Sequence, residues 1–324
     1  MTPVSAHLAA IEAEIRSLHF GSRPSSLYEP IRYIMRLGGK RLRPLLTLMA
    51  YELYLDRNER IVPYAVAVEA FHNFTLMHDD IMDKAPLRRG KPTVHERWNV
   101  DTAILSGDVM LVRVYNLFMG LPDSDLRTVL SAFNHCATEV CEGQQMDMEF
   151  ESRKRVSEKE YLEMIRLKTA VLLGFSLELG AILAGAPEAD RLGLREFGTL
   201  IGIGFQLKDD ILDVYAPAGK FGKRPGGDIV ANKKTYLLIK ALEKARGSNR
   251  TALDRWLRAK KFTRKAKVRA VTAIYDSLGV RQQAEEKVNE FFDKGFAALD
   301  RVSVAGKRKE MLASFTRSLI DRQA

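Results

Sequence analysis

The chain has 324 residues, 46% hydrophobic and 28% charged, enough for a sizeable core under a solvated surface. Its 51 basic and 41 acidic residues leave a net charge of +10, which raises nucleic acid, anionic membrane and phosphorylated substrates as partners. No apolar run reaches the ~18 residues of a transmembrane helix, and Cys136 and Cys141 form neither a disulfide framework nor a metal knuckle, so a reducing cytoplasm is expected.

From the N-terminus, "MTPVSAHLAAIEAEIRSLHF" sets Glu12, Glu14 and Arg16 among its apolar positions, so no secretory signal is expected. Apolar residues then recur every three to four positions through most of the chain, as in "LEMIRLKTAVLLGFSLELGAILAG", without sustained alternation. That period predicts an all-α fold. Gly38-Gly39, Pro44, Pro63, Pro86, "RRGKPT", "GLPDSD", "AGAPEAD" and "APAGKFGKRPGGD" punctuate the helices. No Pro/Ser/Gly-rich linker or short repeat divides them, and a single helical domain over 1–324 is expected.

The first unusual stretch is "HDDIMD", His78 to Asp83, at the end of an apolar helix; "KDDILD", Lys208 to Asp213, repeats it. At 3.6 residues per turn Asp79 and Asp83 share a face with Asp80 beside them, and Asp209, Asp210 and Asp213 do the same. Clustered like charges destabilise a helix unless a cation offsets them. One such cluster reads as a solvated acidic helix end, but two, each after apolar residues and each followed by bases, read as a site. Hard oxygen donors without thiols or paired histidines suit Mg²⁺, which prefers one or two protein carboxylates plus water and substrate phosphate.

Bases supply the other half. "GGKRLRP" offers Lys40, Arg41 and Arg43, "PLRRGKPT" offers Arg88 and Arg89, and "GKFGKRPGGDIVANKKT" offers Lys220, Lys223, Arg224, Lys233 and Lys234. Arginine forks grip phosphate oxygens and lysine adds point charge. None of these loops fits the P-loop pattern. Carboxylates bridged through Mg²⁺ to a diphosphate act where charge develops on a leaving group, so ionisation of a diphosphate ester is the expected chemistry.

These residues closely resemble the trans-isoprenyl diphosphate synthases, the polyprenyl synthetase family. The ordered motifs run from about Tyr28 to about Leu238: GGKRLRP, EAFH at 69–72, HDDIMD, RRGKPT, GD at 107–108, GQQMD at 143–147, KTA at 168–170, FQLKDDILD and GKRPGGDIVANKKT. The resemblance implies an all-α bundle around a deep cavity, usually a homodimer. It implies condensation of isopentenyl diphosphate with an allylic diphosphate, using Mg²⁺ in a family that holds three ions. Carried over by motif, Lys40, Arg43, His72 and Arg89 would hold isopentenyl diphosphate. Asp79, Asp83 and Asp209 would bind Mg²⁺, with Asp80, Asp210 and Asp213 as direct or supporting ligands. Arg88, Lys168, Lys223 and Lys233 would grip the allylic diphosphate, and Thr169 and Gln206 would turn oxygens toward the cation. Many members carry glycine where this chain has Asn232, which leaves the choice between Lys233 and Lys234 open.

In the family the growing chain passes residues one turn upstream of the first cluster, here Phe74 and Thr75 in "HNFTLMHDD". A bulky first residue beside a smaller second one resembles the synthases of geranylgeranyl diphosphate, so a C20 product is expected, with C15 or a longer chain as alternative. A floor nearer Leu111 to Phe118 is the competing reading. A class I terpene cyclase would carry a different second metal motif, a di-metal carboxylate bundle would need a second E-x-x-H beside Glu69 to His72, and a non-catalytic subunit would lose part of one cluster. Phosphorylated substrates are thus the expected partners, with no nucleic acid. The base-rich stretch between Lys240 and Arg269 reads as a solvated helical surface, with contact to an anionic membrane as the alternative.

Overall fold

The computed structural model describes residues 3–57, 59–216 and 226–321. Helices dominate, and the strands among the described residues are the two-residue pair Leu87–Arg88 and Lys91–Pro92. The fold is all-α, as the apolar spacing predicts. No helix of the described residues is long and apolar enough to cross a membrane.

The chain divides into two compact units. One comprises Met1–His135, Phe175–Arg195 and Arg301–Ala313; the other comprises Cys136–Gly174, Glu196–Asp300 and Ser314–Ala324.

The first unit is built on the helix Val62–Met82, which starts with Pro63 in its first turn and buries Val66, Val68, Phe71 and Met77. Proline is tolerated there because the first amides of a helix lack internal partners. Phe133 forms the hub of an aromatic core, with ring centroids 5.0 Å from Phe71, 5.2 Å from Phe118 and 5.8 Å from Phe175. Edge and tilted contacts at these distances suit the aromatic quadrupole. The segment after the first acid cluster, expected only as a loop, closes as a hairpin in which Leu87 pairs with Pro92 and Arg88 with Lys91. Its two turn residues, Arg89 and Gly90, have φ of 52° and 74°, the positive values that a tight two-residue hairpin demands.

The second unit packs the helix Glu158–Ile165 with Tyr236–Lys244, Gly247–Arg258, Arg264–Ser277 and Val280–Arg301, around buried Tyr161, Tyr236 and Tyr275. Glu158–Ile165 opens with a capping box, the Ser157 hydroxyl accepting from the Glu160 amide while the Glu160 carboxylate accepts from the Ser157 amide. Two orphan helix amides are satisfied in this way. The helix then runs into a five-residue π-helical stretch, Arg166–Ala170, a wide turn that is uncommon in regular helices and recurs at functional sites.

Candidate active site

In the first unit, the helix that buries Val66 and Phe71 brings its acids out at its last turn. Asp80 is 2% exposed, Asp79 half-buried and Asp83 exposed. The hairpin delivers Arg88 to them. Its Nε and Nη2 each donate to an Asp80 oxygen at 2.7 Å, and Nη2 reaches Asp79 Oδ2 at 3.4 Å. This bidentate pair spends Asp80 inside the protein. Burial still leaves the Asp80 carboxyl above its ordinary pKa, because the loss of hydration outweighs the Arg88 charge.

The bases of "GGKRLRP" separate into two kinds. Arg41, with φ of 46° and 2% exposure, donates to Glu12 at 2.7 Å, to Glu69 at 2.9 Å and to the Met35 carbonyl at 2.8 Å. Arg41 is therefore a brace for the glycine turn, and Glu69, the first residue of EAFH, is bound to it. Lys40 is exposed and Arg43 half-buried. Arg89 lies against Gly39, where an added Cβ would come within 2.9 Å of its Nη2. His72 completes the group. Desolvation first, then the charges of Arg43, Arg89, Arg88 and Arg41, hold its pKa well below the ordinary imidazole value, so near neutral pH it is an uncharged ring among guanidinium groups. His72 thus lies within reach of the Arg41, Arg43, Arg88 and Arg89 charges.

One turn before the acids, Phe74 is half-buried, its ring centroid 5.7 Å from Phe71 and 4.8 Å from the His78 ring. Thr75 donates its hydroxyl to the His72 carbonyl at 2.8 Å. Phe118, at the far end of the competing stretch, is fully buried in the Phe133 core.

The second unit holds a cavity of about 240 Å³ that gathers Lys168, Thr169, Gln206, Asp209, Asp210, Asp213 and Lys233. Close helix approach builds one wall. A Cβ on Gly143 would fall 2.2 Å from the Lys168 amide nitrogen, and one on Gly202 would fall 2.7 Å from the Ala170 Cα. Only glycine permits backbones this near. One turn beyond Gly143, Asp147 accepts from Lys168 Nζ at 2.7 Å and lies 3.6 Å from Lys233 Nζ. Burial would raise the Asp147 carboxyl, but Lys233 and Lys168 outweigh it and hold it below the usual range.

The second acid cluster repeats the division of the first. Asp209 is exposed, whereas Asp210 is 4% exposed. Asp210 accepts from the Tyr161 hydroxyl, and at 3.4 Å from Gln206 Nε2 and the Tyr236 amide. Desolvation, then the nearby Asp228 charge, pushes its pKa up to about 7. Asp213 accepts from the Asp228 amide at 3.0 Å, and its own carbonyl accepts from the Gly226 amide at 2.5 Å. In each cluster the second aspartate is bound into the protein; of the first aspartates, Asp209 is exposed and Asp79 half-buried beside Arg88.

Asn232 stands directly before the two lysines. It takes φ of 55° at the end of the helix Gly227–Ala231, a left-handed conformation that asparagine tolerates best after glycine. Lys233 then lines the cavity with Asp209, while Lys234 lines a different groove. Lys223, and with it Lys220 and Arg224, lies outside the described residues.

Among the described residues, no three Asp, Glu, His or Cys side chains form a ready-made metal cage. Each unit offers hard carboxylate oxygens, from half-buried Asp79 and exposed Asp83 in one and exposed Asp209 in the other. Such donors fit Mg²⁺, whose octahedron is commonly completed by water and substrate phosphate. Sequence reasoning overlooked Asp147 and Tyr161 as site residues. Asp147 stood in the quoted GQQMD stretch, four residues after Gly143, and that i, i+4 spacing was the available signal.

With helices, acids and bases so arranged, the chain belongs to the polyprenyl synthetase family, whose model matches residues 24–275. A geranylgeranyl diphosphate synthase of Methanosarcina mazei is 43% identical over 236 residues, covering 72% of this chain and 73% of the relative. A geranylgeranyl diphosphate synthase of Sulfolobus acidocaldarius is 36% identical over 311 residues, 93% of each chain. Among solved structures, a geranylgeranyl pyrophosphate synthase superposes with a TM-score of 0.94 at 40% identity, covering 100% of both chains.

Proposed function

We propose that the chain is a Mg²⁺-dependent trans-prenyltransferase that condenses isopentenyl diphosphate with allylic diphosphates and releases geranylgeranyl diphosphate, C20. The observation that carries this reading is the cavity in which Lys168, Thr169, Gln206, Asp209 and Lys233 meet, in a chain of the polyprenyl synthetase family. Synthases named for geranylgeranyl diphosphate are among the curated relatives.

Lys168, Lys233 and Arg88 receive the allylic diphosphate, joined by Lys223. Bound Mg²⁺, three ions by family resemblance, would stabilise the charge that develops on the departing diphosphate; Asp79, Asp83 and Asp209 would hold the metal. As the allylic C–O bond breaks, its electron pair leaves with the diphosphate. Thr169 and Gln206 offer neutral oxygens to the carbocation, which they stabilise without capturing it. Lys40, Arg43, Arg89 and the neutral His72 orient isopentenyl diphosphate so that its double bond attacks the cation and forms the new C–C bond. A proton is then lost to the released pyrophosphate, which restores a double bond. Asp80 and Asp210, each bound within the protein, position the aspartates beside them, and Asp213 anchors the segment that begins at Gly226. Phe74 sets the floor for the chain, with Thr75 leaving space beside it.

Residues 1–324 serve as one catalytic domain, since the divisions between the compact units fall inside helices such as Asp123–Ser152 and Glu188–Tyr215 and not in linkers. The enzyme works as a cytoplasmic homodimer. Leu105 and Val112 on the helix Val100–Phe118 and Met119 at its C-cap recur every seven residues and are 58%, 58% and 59% exposed, an apolar stripe suited to a second copy.

Incubation of purified protein with Mg²⁺, isopentenyl diphosphate and, separately, C5, C10 and C15 allylic diphosphates tests the reading. Formation of C20 diphosphate is expected; no elongated product from any starter would sink it.

A further inference from the structure

The second unit carries another concavity, about 950 Å³, walled by the segment before Glu158–Ile165 and by the helices Tyr236–Lys244 and Gly247–Arg258. Its size falls within the range of small-molecule sites. Its floor is aliphatic: Val156, Leu238 and Ile239 are buried, with Leu242 and Leu257 half-buried beside them.

Its rim is cationic in a particular way. Each of its three acids is already engaged: Glu160 by Arg153, Asp254 by Arg250 at 3.0 Å, and Glu243 by Lys240 at 2.7 Å. Lys154, Arg155, Lys234 and Arg258 pair with no carboxylate among the described residues, and Arg246 donates to the Glu243 and Ala245 carbonyls. Five positive side chains therefore line one groove without a neutralising acid. Like charges so placed raise the local potential and draw a polyanion, and guanidinium forks match phosphate oxygens.

We propose that this groove binds a single anionic amphiphile, a diphosphate head on an isoprenoid tail, at a site separate from the catalytic cavity. The basic rim takes the head and the buried aliphatic floor takes part of the tail. The apolar surface is recessed, not projecting, which favours a single molecule entering the groove over a bilayer resting against it. Asn232 and Lys234 line the groove on either side of Lys233, so an occupant touches the loop that carries a lysine of the catalytic cavity. The choice of an isoprenoid tail rests on the proposed function; the anion and the apolar floor do not.

The experiment is calorimetric titration of the full chain with farnesyl diphosphate in EDTA, which removes metal-assisted diphosphate binding. Saturable metal-independent binding is expected, weakened at least tenfold in Arg155→Glu/Arg258→Glu and in Leu257→Asp, with inorganic pyrophosphate alone at least tenfold weaker than farnesyl diphosphate. Turnover with Mg²⁺ in the absence of added product should be unchanged in the charge-reversal variant. Absence of binding in EDTA, or binding indifferent to the charge reversal, would overturn the proposal. Binding of phosphatidylglycerol vesicles without binding of farnesyl diphosphate would also overturn it. An inactive protein that still binds farnesyl diphosphate through Arg155 and Arg258 would uphold the groove and discard the catalytic reading.

Discussion

Lys267 Nζ donates to Asn232 Oδ1 at 2.6 Å. The lysine is 1% exposed, also reaches the Val230 carbonyl at 3.2 Å and lies 4.4 Å from the centroid of the Phe262 ring. Asn232 in turn donates Nδ2 to the Leu257 carbonyl at 3.1 Å. The left-handed residue before Lys233 is thus held by its side chain as well as by its backbone. Replacing Lys267 with Met keeps bulk and removes the donor, leaving a half-buried carboxamide oxygen short of a partner, at a cost of about 1 kcal/mol. We expect Lys267→Met to raise KM for the allylic diphosphate about tenfold with KM for isopentenyl diphosphate unchanged. Asn232→Gly in the same background should recover most of the loss, because glycine adopts this conformation without a side-chain anchor. Steady-state kinetics of the parent and both variants check this; equal rises in both KM values would mean a general loss of structure.

The division of labour within the acid clusters predicts two kinds of mutant. Asp209→Ala removes an exposed carboxylate and Asp79→Ala a half-buried one; both should lower kcat by orders of magnitude, with less stability lost than at Asp80. Asp80→Ala also strands Arg88, whose side chain is 24% exposed. Its stability cost should be on the order of 2 kcal/mol, below that of a fully buried pair because Arg88 keeps some solvent. Activity assays alongside denaturant unfolding separate the classes. Equal stability loss at Asp79 and Asp80 would refute the distinction.

Much of this was legible because helical period converts spacing directly into geometry. Apolar spacing gave the all-α fold, and D-D-x-x-D spacing put acids on one helix face. Which acid is used inward was not legible, since it depends on partners distant in sequence: Tyr161 for Asp210, 49 residues away, and Asp228 for Asp213. Nor could charge type separate Arg41 from Arg43, because the roles turn on Glu12 and Glu69 closing over one and not on the bases themselves. The π-helical turn at Arg166–Ala170 leaves no simple periodic mark; the glycines at 143 and 202 that accommodate it are readable only once both neighbouring helices are placed. Arg89 in a left-handed turn is a similar case, because local preference would have assigned that position to glycine or asparagine.

Asp210 makes stability depend on pH. Its ordinary carboxyl pKa of 3.8 is pushed to about 7 in the folded protein, by desolvation and then by Asp228. Between these values the native state holds a proton that the unfolded chain has released, so stability falls as pH rises through the window. Asp210→Asn removes that proton linkage. Urea unfolding in EDTA at pH 5, 6, 7 and 8 should show the variant gaining on the parent as pH rises, with the gain levelling off above about pH 7. Parallel stability profiles would show that Asp210 does not carry the linkage.

Phe74 and Phe118 offer opposite outcomes for one question, where the product chain stops. Phe74 is half-buried and contacts the aromatic core only through Phe71, at 5.7 Å, whereas Phe118 is wholly enclosed, 5.2 Å from Phe133 and 6.4 Å from Phe175. Removing a ring from the edge of a core opens space for a ligand; removing one from its centre leaves a cavity that costs about 3–5 kcal/mol. Phe74→Ala should therefore lengthen products beyond C20 with modest loss of stability. The extension should stop after a few isoprene units, because Phe71, Phe118, Phe133 and Phe175 remain packed behind it. Phe118→Ala should lose stability while keeping C20 as the main product. Chromatography of the dephosphorylated prenols, with thermal unfolding of both variants, decides the matter: unchanged lengths in Phe74→Ala with longer ones in Phe118→Ala would move the floor to the second ring.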